Sequence, residues 1–418
     1  MNTHFSITDT ILLKQKMLSW LKQFNIFCFL DNQQYQVQPH QFECLVAAGA
    51  SSSSSKIDFN LIDRFIEEGS WSFGHLSYEL GDQFVDIKSG KENKLGFQEF
   101  FFFKPQVLLF VQNGQLTIQA PEPGRIYDEI INQDPAGPLT SKKINIQNKL
   151  SKEEYISAIK NLKHHIQLGD CYEINFCHEF FAENVSIDPV SVYSRLIDLS
   201  PNPFSALYKT EGSYLICASP ERFIQKNDEF IISQPMKGTA KRGSGAAEDE
   251  IIKQELYKNE KERAENVMVV DLVRNDLSKV CEEGSVVVEE LFGIYTFPQV
   301  HQMISTIKGK LNKGVSFEEI IRATFPMGSM TGAPKKRVMQ LIEQYEKSLR
   351  GIFSGAVGYI APNGDFDFNV VIRSIMYNAK SQYLSYQVGS GITIYSNPEK
   401  EWEECMLKGE AIKKVLTG

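Results

Sequence analysis

Strand-forming segments in this chain come in adjacent runs, and that ordering limits the fold more than any other feature. Four apolar, β-type runs follow one another at 353–360, 366–377, 383–388 and 391–395. Others stand at Tyr172–Phe180, Tyr214–Ala218 and Glu229–Ile232. Near the start, Ile26–Leu30 leads into a polar Asp31-Asn32 turn. Val107–Val111 and Leu116–Ile118 flank Asn113-Gly114, a pair that accepts the positive φ of a tight hairpin turn. A doubly wound parallel sheet needs strands and helices to alternate. Runs without that alternation predict an α+β chain with antiparallel sheets.

Helices are signalled at four places. Ser151 and Glu154 have capping-box spacing, followed by Tyr155, Ile156, Ile159, Leu162 and Ile166 at helical period until Gly169. The stretch 248–280 is dense in charge with a helical apolar stripe. A third helix starts near Pro334 and stops at Gly351, and a terminal one runs from Pro398 to Leu416. Residues 121–140 hold four prolines and two glycines and read as a linker. It divides an N-terminal α+β region (1–140), packed on the core, from a catalytic region (141–418). Ser51–Ser55 reads as a mobile loop or tip.

Composition narrows the class. At 42% apolar and 23% charged, the 418 residues are globular, one large or two medium domains. A net charge of −8 suggests no polyanionic partner. The seven cysteines are scattered without a C-x-x-C pair, against a disulfide framework or a zinc site. The N-terminal residues lack a secretory pattern, and no apolar run approaches the ~20 residues of a membrane span, so the cytoplasm is expected.

Several residues invite chemistry, each with a plainer explanation. Glu262 and Glu265, and likewise Glu401 and Glu404, lie three apart on expected helices, sharing a face. Each pair is a solvated face or half of a hard-cation site such as Mg²⁺ prefers. Gly328–Lys335 is a flexible polar loop entering a helix, either a cap or an anion site, and it lacks the P-loop's Gly-Lys-Ser/Thr. Gly389-Ser390-Gly391 is a bulge or a close backbone approach. Arg373, inside an apolar run, is in a buried ion pair or on a ligand. His301 and Lys237 are structural and superficial residues unless something else recruits them. Taken singly, none identifies a reaction.

Their order along the chain carries more. SPERF (219–223), QPMKGT (234–239), ENVMVVDLVRNDL (265–277), FPQVHQMISTIKG (297–309), FPMGSMTGAPK (325–335), GAVGYIAPNGDFDFNVVIRS (355–374) and QVGSGI (387–392) together resemble the chorismate-utilising enzyme family. The likeness covers roughly 150–416, with a weaker extension at Phe73–Leu80. It implies the fold of an anthranilate synthase large component: large antiparallel sheets packed as a sandwich, helices outside. It implies Mg²⁺ held by Glu265 and Glu404, with Glu262 and Glu401 acting through water. Arg373 and Tyr359 would contact the enolpyruvyl carboxylate. Thr331, Lys408 and the N–H groups of Gly389 and Gly391 would complete the substrate site.

The resemblance also distinguishes reactions. Water-adding members carry a lysine base where this chain has Glu173, and most ammonia-using members carry glutamine there. Anthranilate synthases usually have alanine where this chain has Lys237, and their tryptophan-feedback motif is not recognisable near residues 40–50. Lys237 in P-x-K-G-T is similar to the aminodeoxychorismate synthase branch, which exchanges the C4 hydroxyl of chorismate for an amino group. In that branch's pattern Glu221 is the general acid and must hold its proton near neutral pH. Lys237 attacks C2 and needs a depressed pKa. His301 orients the C4 hydroxyl. With no G-x-C-x-G nucleophile loop visible, ammonia is expected from a separate glutamine amidotransferase subunit, and the product would lead to para-aminobenzoate and folate. An anthranilate synthase large component and a silent chorismate-binding protein are the alternatives.

Overall fold

The computed structural model describes residues 2–35, 42–54, 56–135, 143–297 and 300–418. Its first elements are β1 (Asn2–Ser6), α1 (Thr10–Leu21), β2 (Ile26–Asp31), β3 (Cys44–Ser53), α2 (Phe59–Glu67), β4 (Ser72–Leu76), α3 (Leu80–Val85), β5 (Phe100–Gln112), β6 (Gln115–Gln119) and α4 (Pro123–Ile131). Next come β7 (Gln147–Asn148), α5 (Lys152–Gln167), β8 (Glu173–Ala182), α6 (Pro189–Leu199), β9 (Phe204–Thr210), β10 (Ser213–Ser219), β11 (Arg222–Asn227), β12 (Phe230–Gln234) and β13 (Met236–Lys241). Then follow α7 (Ala246–Lys258), α8 (Glu260–Ser278), β14 (Val287–Thr296), β15 (Val300–Lys310), α9 (Phe317–Thr324), β16 (Gly332–Ala333) and α10 (Lys335–Tyr345). The last are β17 (Ala356–Ile360), β18 (Phe366–Val370), β19 (Ser374–Asn378), β20 (Tyr383–Ile392) and α11 (Pro398–Thr417).

Every described strand pairing is antiparallel, as the ordering of the runs predicts. One arm runs β1–β6–β5–β3–β2–β9–β10–β19–β20–β8. The other leaves the far end of β5 as β4–β17–β18–β11–β12–β15, with β13 and β14 also on β15. The length of β5 lets Phe100–Phe103 serve β4 while Val107–Val111 serve β3. The arms fold face to face: His75 on β4 lies 2.9 Å from the Tyr208 hydroxyl on β9, and Asn369 on β18 donates to the Phe204 carbonyl at 3.0 Å. Helices α1, α4, α5, α6, α10 and α11 bury apolar stripes on the outer face of the first arm, and α2, α8 and α9 cover the second. No helix among the described residues is long and apolar enough to cross a membrane.

The capping box of α5 and the hairpin turn stand where the sequence places them, with Asn113 and Gly114 at φ 51° and 70°. The linker reading does not hold for 123–131. That segment is α4, with Pro123 in its first turn, where a missing N–H costs nothing, and Ile126 and Ile130 buried one turn apart. Residues 136–140 of that reading, and Ser55 of the serine run, lie outside the described residues. Ser51–Ser53 end β3, and buried Ser54 accepts a hydrogen bond from the Phe102 N–H, so the run is sheet edge and no loose tip. The stretch 248–280 is two helices divided at Asn259, which caps α8. The run 366–377 breaks where Arg373 takes φ 52°. Conversely, β20 passes straight through Gly389-Ser390-Gly391 in regular register with β8, which rules out a bulge.

Candidate active site

The centre of the site is a pair built by three strands. Lys237 on β13 places Nζ 2.7 Å from Oε1 of Glu173, the first residue of β8. On β20, a Cβ at Gly391 would fall 2.6 Å from both of those atoms, so only glycine leaves room for the pair. The other Glu173 oxygen, Oε2, is buried with no hydrogen-bond partner among the described residues. Glu262 and Glu265 on α8 and Glu404 on α11 act on Lys237 through their charge, and Glu401 on α11 joins those three carboxylates around Lys261. Lys261 lies 3.7 Å from Glu265, and Lys408 bonds Glu404 at 2.7 Å and the Gly389 carbonyl at 2.9 Å.

Charge settles the state of Lys237. Burial alone pulls its pKa down, but Glu173, Glu265 and Glu404 outweigh burial and hold it above the ordinary lysine value. The expectation of a depressed lysine pKa is therefore overturned: the site as it stands keeps Lys237 a cation. Burial raises the pKa of Glu265 and Glu262. Against the same burial, Lys408, Lys261 and Lys237 bring Glu404 below its ordinary value.

Glu221 stands just before β11. It is 4% exposed, and burial pushes its pKa up to about 7 against the opposing pull of the Ser329 hydroxyl, Lys237 and the Met236 N–H. The Ser329 hydroxyl donates to its Oε1 at 2.7 Å. Ser329 sits in the segment read as a flexible loop, but from Gly328 to Gly332 that segment is buried and clamped. The Asn175 side chain donates to the Ser329 carbonyl and the Asn175 N–H to the Thr331 carbonyl. Gly332 lies so close to β8 that a Cβ there would be 2.0 Å from the Glu173 carbonyl oxygen. Arg350, 1% exposed, donates to the carbonyls of Met330 and Asn175 and to both oxygens of Glu346, with its guanidinium over the Tyr78 ring. Sequence reasoning missed Ser329, Glu346 and Arg350. Glu346 and Arg350 lie beyond the end of α10 at Tyr345, where helical spacing gives no signal that they pair.

Other expected site residues divide. Arg373 is half-buried with no hydrogen-bond or ion-pair partner for its guanidinium among the described residues, and Glu404 is the carboxylate whose field it feels. The buried-pair explanation for it is thereby removed. Thr331 spends its hydroxyl on the Met327 carbonyl at 3.0 Å, closing its own loop. His301 is a correction. It is fully buried, with Nε2 2.8 Å from Asp249 and Nδ1 3.1 Å from the Thr296 hydroxyl, so both nitrogens belong to a network apart from Lys237. Strand alternation turns its neighbour Gln302 the other way, where it accepts from Thr239. Tyr359 is a second correction. It packs with Phe42, Trp71 and Phe73, its charged neighbours are Asp367, Arg222 and Asp365, and it lines a small cavity shared with Asp31 and Asn369.

Among the described residues no three His, Cys, Asp or Glu side chains converge closely enough to enclose a metal by themselves. The donors on α8 and α11 are all carboxylates in i,i+3 pairs. That set fits a hard cation taking one or two carboxylates and completing its shell with water and substrate oxygens.

The chain is similar to known proteins in sequence and in fold. Aminodeoxychorismate synthase of Streptomyces pristinaespiralis is 40% identical over 274 residues, 65% of this chain and 38% of that protein. Aminodeoxychorismate synthase component 1 of Bacillus subtilis (strain 168) is 36% identical over 266 residues, 64% of this chain and 56% of that protein. The chain thus spans less than two thirds of either relative. Among solved structures, anthranilate synthase component I from Streptococcus pneumoniae TIGR4 superposes with a TM-score of 0.79 at 21% identity, covering 91% of this chain and 94% of that one, a likeness of fold. The family profile of chorismate binding enzymes matches residues 26–414, and the chain belongs to that family.

Proposed function

We propose that this chain exchanges the C4 hydroxyl of chorismate for an amino group, giving 4-amino-4-deoxychorismate for para-aminobenzoate and folate synthesis. The observation that carries this reading is one buried site holding both Lys237 and a carboxyl, Glu221, whose pKa is pushed up to about 7. Hydroxide is a poor leaving group and departs only as water. Glu221, kept protonated near neutrality by burial, is the acid that supplies the proton. Lys237 Nζ forms a bond to C2 as the C4–O bond breaks. Ammonia then bonds to C4 and the lysine is expelled. Because the surrounding carboxylates hold Lys237 as a cation, it must first give up a proton. Arg373, with its guanidinium free of protein partners among the described residues, is the candidate contact for a substrate carboxylate. Glu265 and Glu404 would hold Mg²⁺, with Glu262 and Glu401 acting through water. When bound, the ion would supply a positive centre for the substrate's other carboxylate. Ammonia would come from a separate glutamine amidotransferase subunit.

The test uses the purified chain with chorismate, an ammonium salt and Mg²⁺. Chorismate should be consumed only when ammonium is present, a chelator should stop the reaction, and added Mg²⁺ should restore it. Lys237→Ala and Glu221→Gln should each slow it by about a hundredfold or more. Full activity in Lys237→Ala would sink the covalent route.

A further inference from the structure

The proton that Lys237 must lose has one neighbouring acceptor. Among the described residues no carboxylate but Glu173 comes within ion-pair distance of Nζ, and Glu265 and Glu404 act on it only through space. Glu173 is 4% exposed and held in place from two sides. Its backbone pairs with Ala333 of the clamped loop, and the missing side chain of Gly391 keeps its carboxylate against the lysine. Only one of its oxygens is used. A purely structural ion pair this deep would need its remaining lone pairs satisfied, since a bare buried carboxylate oxygen costs stability. Oε2 has no such partner among the described residues. A carboxylate with one oxygen on the lysine and the other bare can become a neutral acid without breaking any bond but the one to the lysine.

We propose that Glu173 is the base that frees Lys237 for attack and the acid that recharges it afterwards. This rests on the reading above. The protons balance over the cycle. The Lys237 ammonium gives a proton to the Glu173 carboxylate, leaving a neutral amine beside a neutral acid. The amine bonds to C2, the C4–O bond breaks, and the Glu221 proton leaves with the oxygen as water. Ammonia bonds to C4, the C2–N bond breaks, and the lysine returns as a neutral amine. It takes its proton back from Glu173, and the new C4 ammonium returns one to Glu221. The net change is chorismate plus ammonia to aminated product plus water. The charged groups facing the pair are Glu221 before β11, Glu262 and Glu265 on α8, and Glu404 on α11.

The experiment compares wild type, Glu173→Gln and Glu173→Asp in ammonium-dependent chorismate turnover across neutral to alkaline pH. Glu173→Gln should lower kcat by about a hundredfold or more near neutrality, with the KM for chorismate within about threefold of wild type. Its kcat relative to wild type should climb with pH as the lysine loses its proton to solvent, and the ratio cancels the common titration of Glu221. Glu173→Asp, which keeps a carboxylate, should recover part of the rate and the wild-type pH profile. A Glu173→Gln kcat equal to wild type, or an Asp variant as slow as Gln with the same rising profile, overturns the proposal while leaving amination intact. A wild type that never aminates chorismate overturns the underlying reading, and this proposal with it.

Discussion

At the scale of single residues, the chemistry depends on which protons the site keeps. The folded pKa of Glu221 is about 7, against an ordinary value of 4.5. Between those values the folded chain holds a proton the unfolded chain has lost, so this residue's contribution to stability falls as pH rises through that window. Glutamine carries no such dependence. Glu221→Gln should therefore gain on wild type by about 3 kcal/mol between pH values below and above the window, while losing activity throughout. Melting curves at the two extremes check this, and a difference that does not change with pH would show that Glu221 is not held protonated. Glu221 was legible in the sequence through SPERF, and Lys237 through QPMKGT. The charge on Lys237 was not, because its carboxylates arrive from β8, α8 and α11, far apart in the chain. His301 and Tyr359 were misplaced for a related reason. A motif fixes a residue's position along a strand, and a shift of one residue moves a side chain to the opposite face.

At the scale of elements, the buried pair of Arg350 and Glu346 fastens the Ser329 loop to β8. Arg350→Met leaves Glu346 buried and unpaired and should cost about 3–5 kcal/mol in denaturant unfolding. The double variant Arg350→Met with Glu346→Gln should recover a large part of that, because the uncompensated charge is gone. No recovery would mean that the carbonyl contacts of Arg350, and not the charge pair, hold the loop. Gly391→Ala tests the strand side of the site. Its new methyl would displace Lys237 from Glu173, and activity should fall by about tenfold or more with β20 otherwise intact. An alanine variant with full turnover would remove the close-packing argument. Helix starts were readable because caps are local. The α4 helix was hidden by its prolines, and the division between α7 and α8 by a charge pattern that continues across Asn259.

At the scale of the molecule, the two arms share one ladder system, and segments on both sides of residue 140 supply it. Strand β2 pairs with β9, and β4 with β17. A fragment covering 143–418 would leave β9 and β17 with bare edges and uncovered apolar faces. It should show no cooperative melting transition, whereas the full chain should show one. A fragment that melts cooperatively would make the N-terminal region an independent unit. The antiparallel α+β class was legible because adjacent strand runs exclude crossover helices. The sandwich was legible only through resemblance, since it depends on β5 serving two arms, and periodicity says nothing about partners. The reaction proposed for this architecture is the amination of chorismate. The most direct measurement is identification, by chromatography and mass, of what the purified chain makes from chorismate, Mg²⁺ and an ammonium salt. The account predicts an aminated chorismate that retains its enolpyruvyl group; anthranilate with free pyruvate would contradict it.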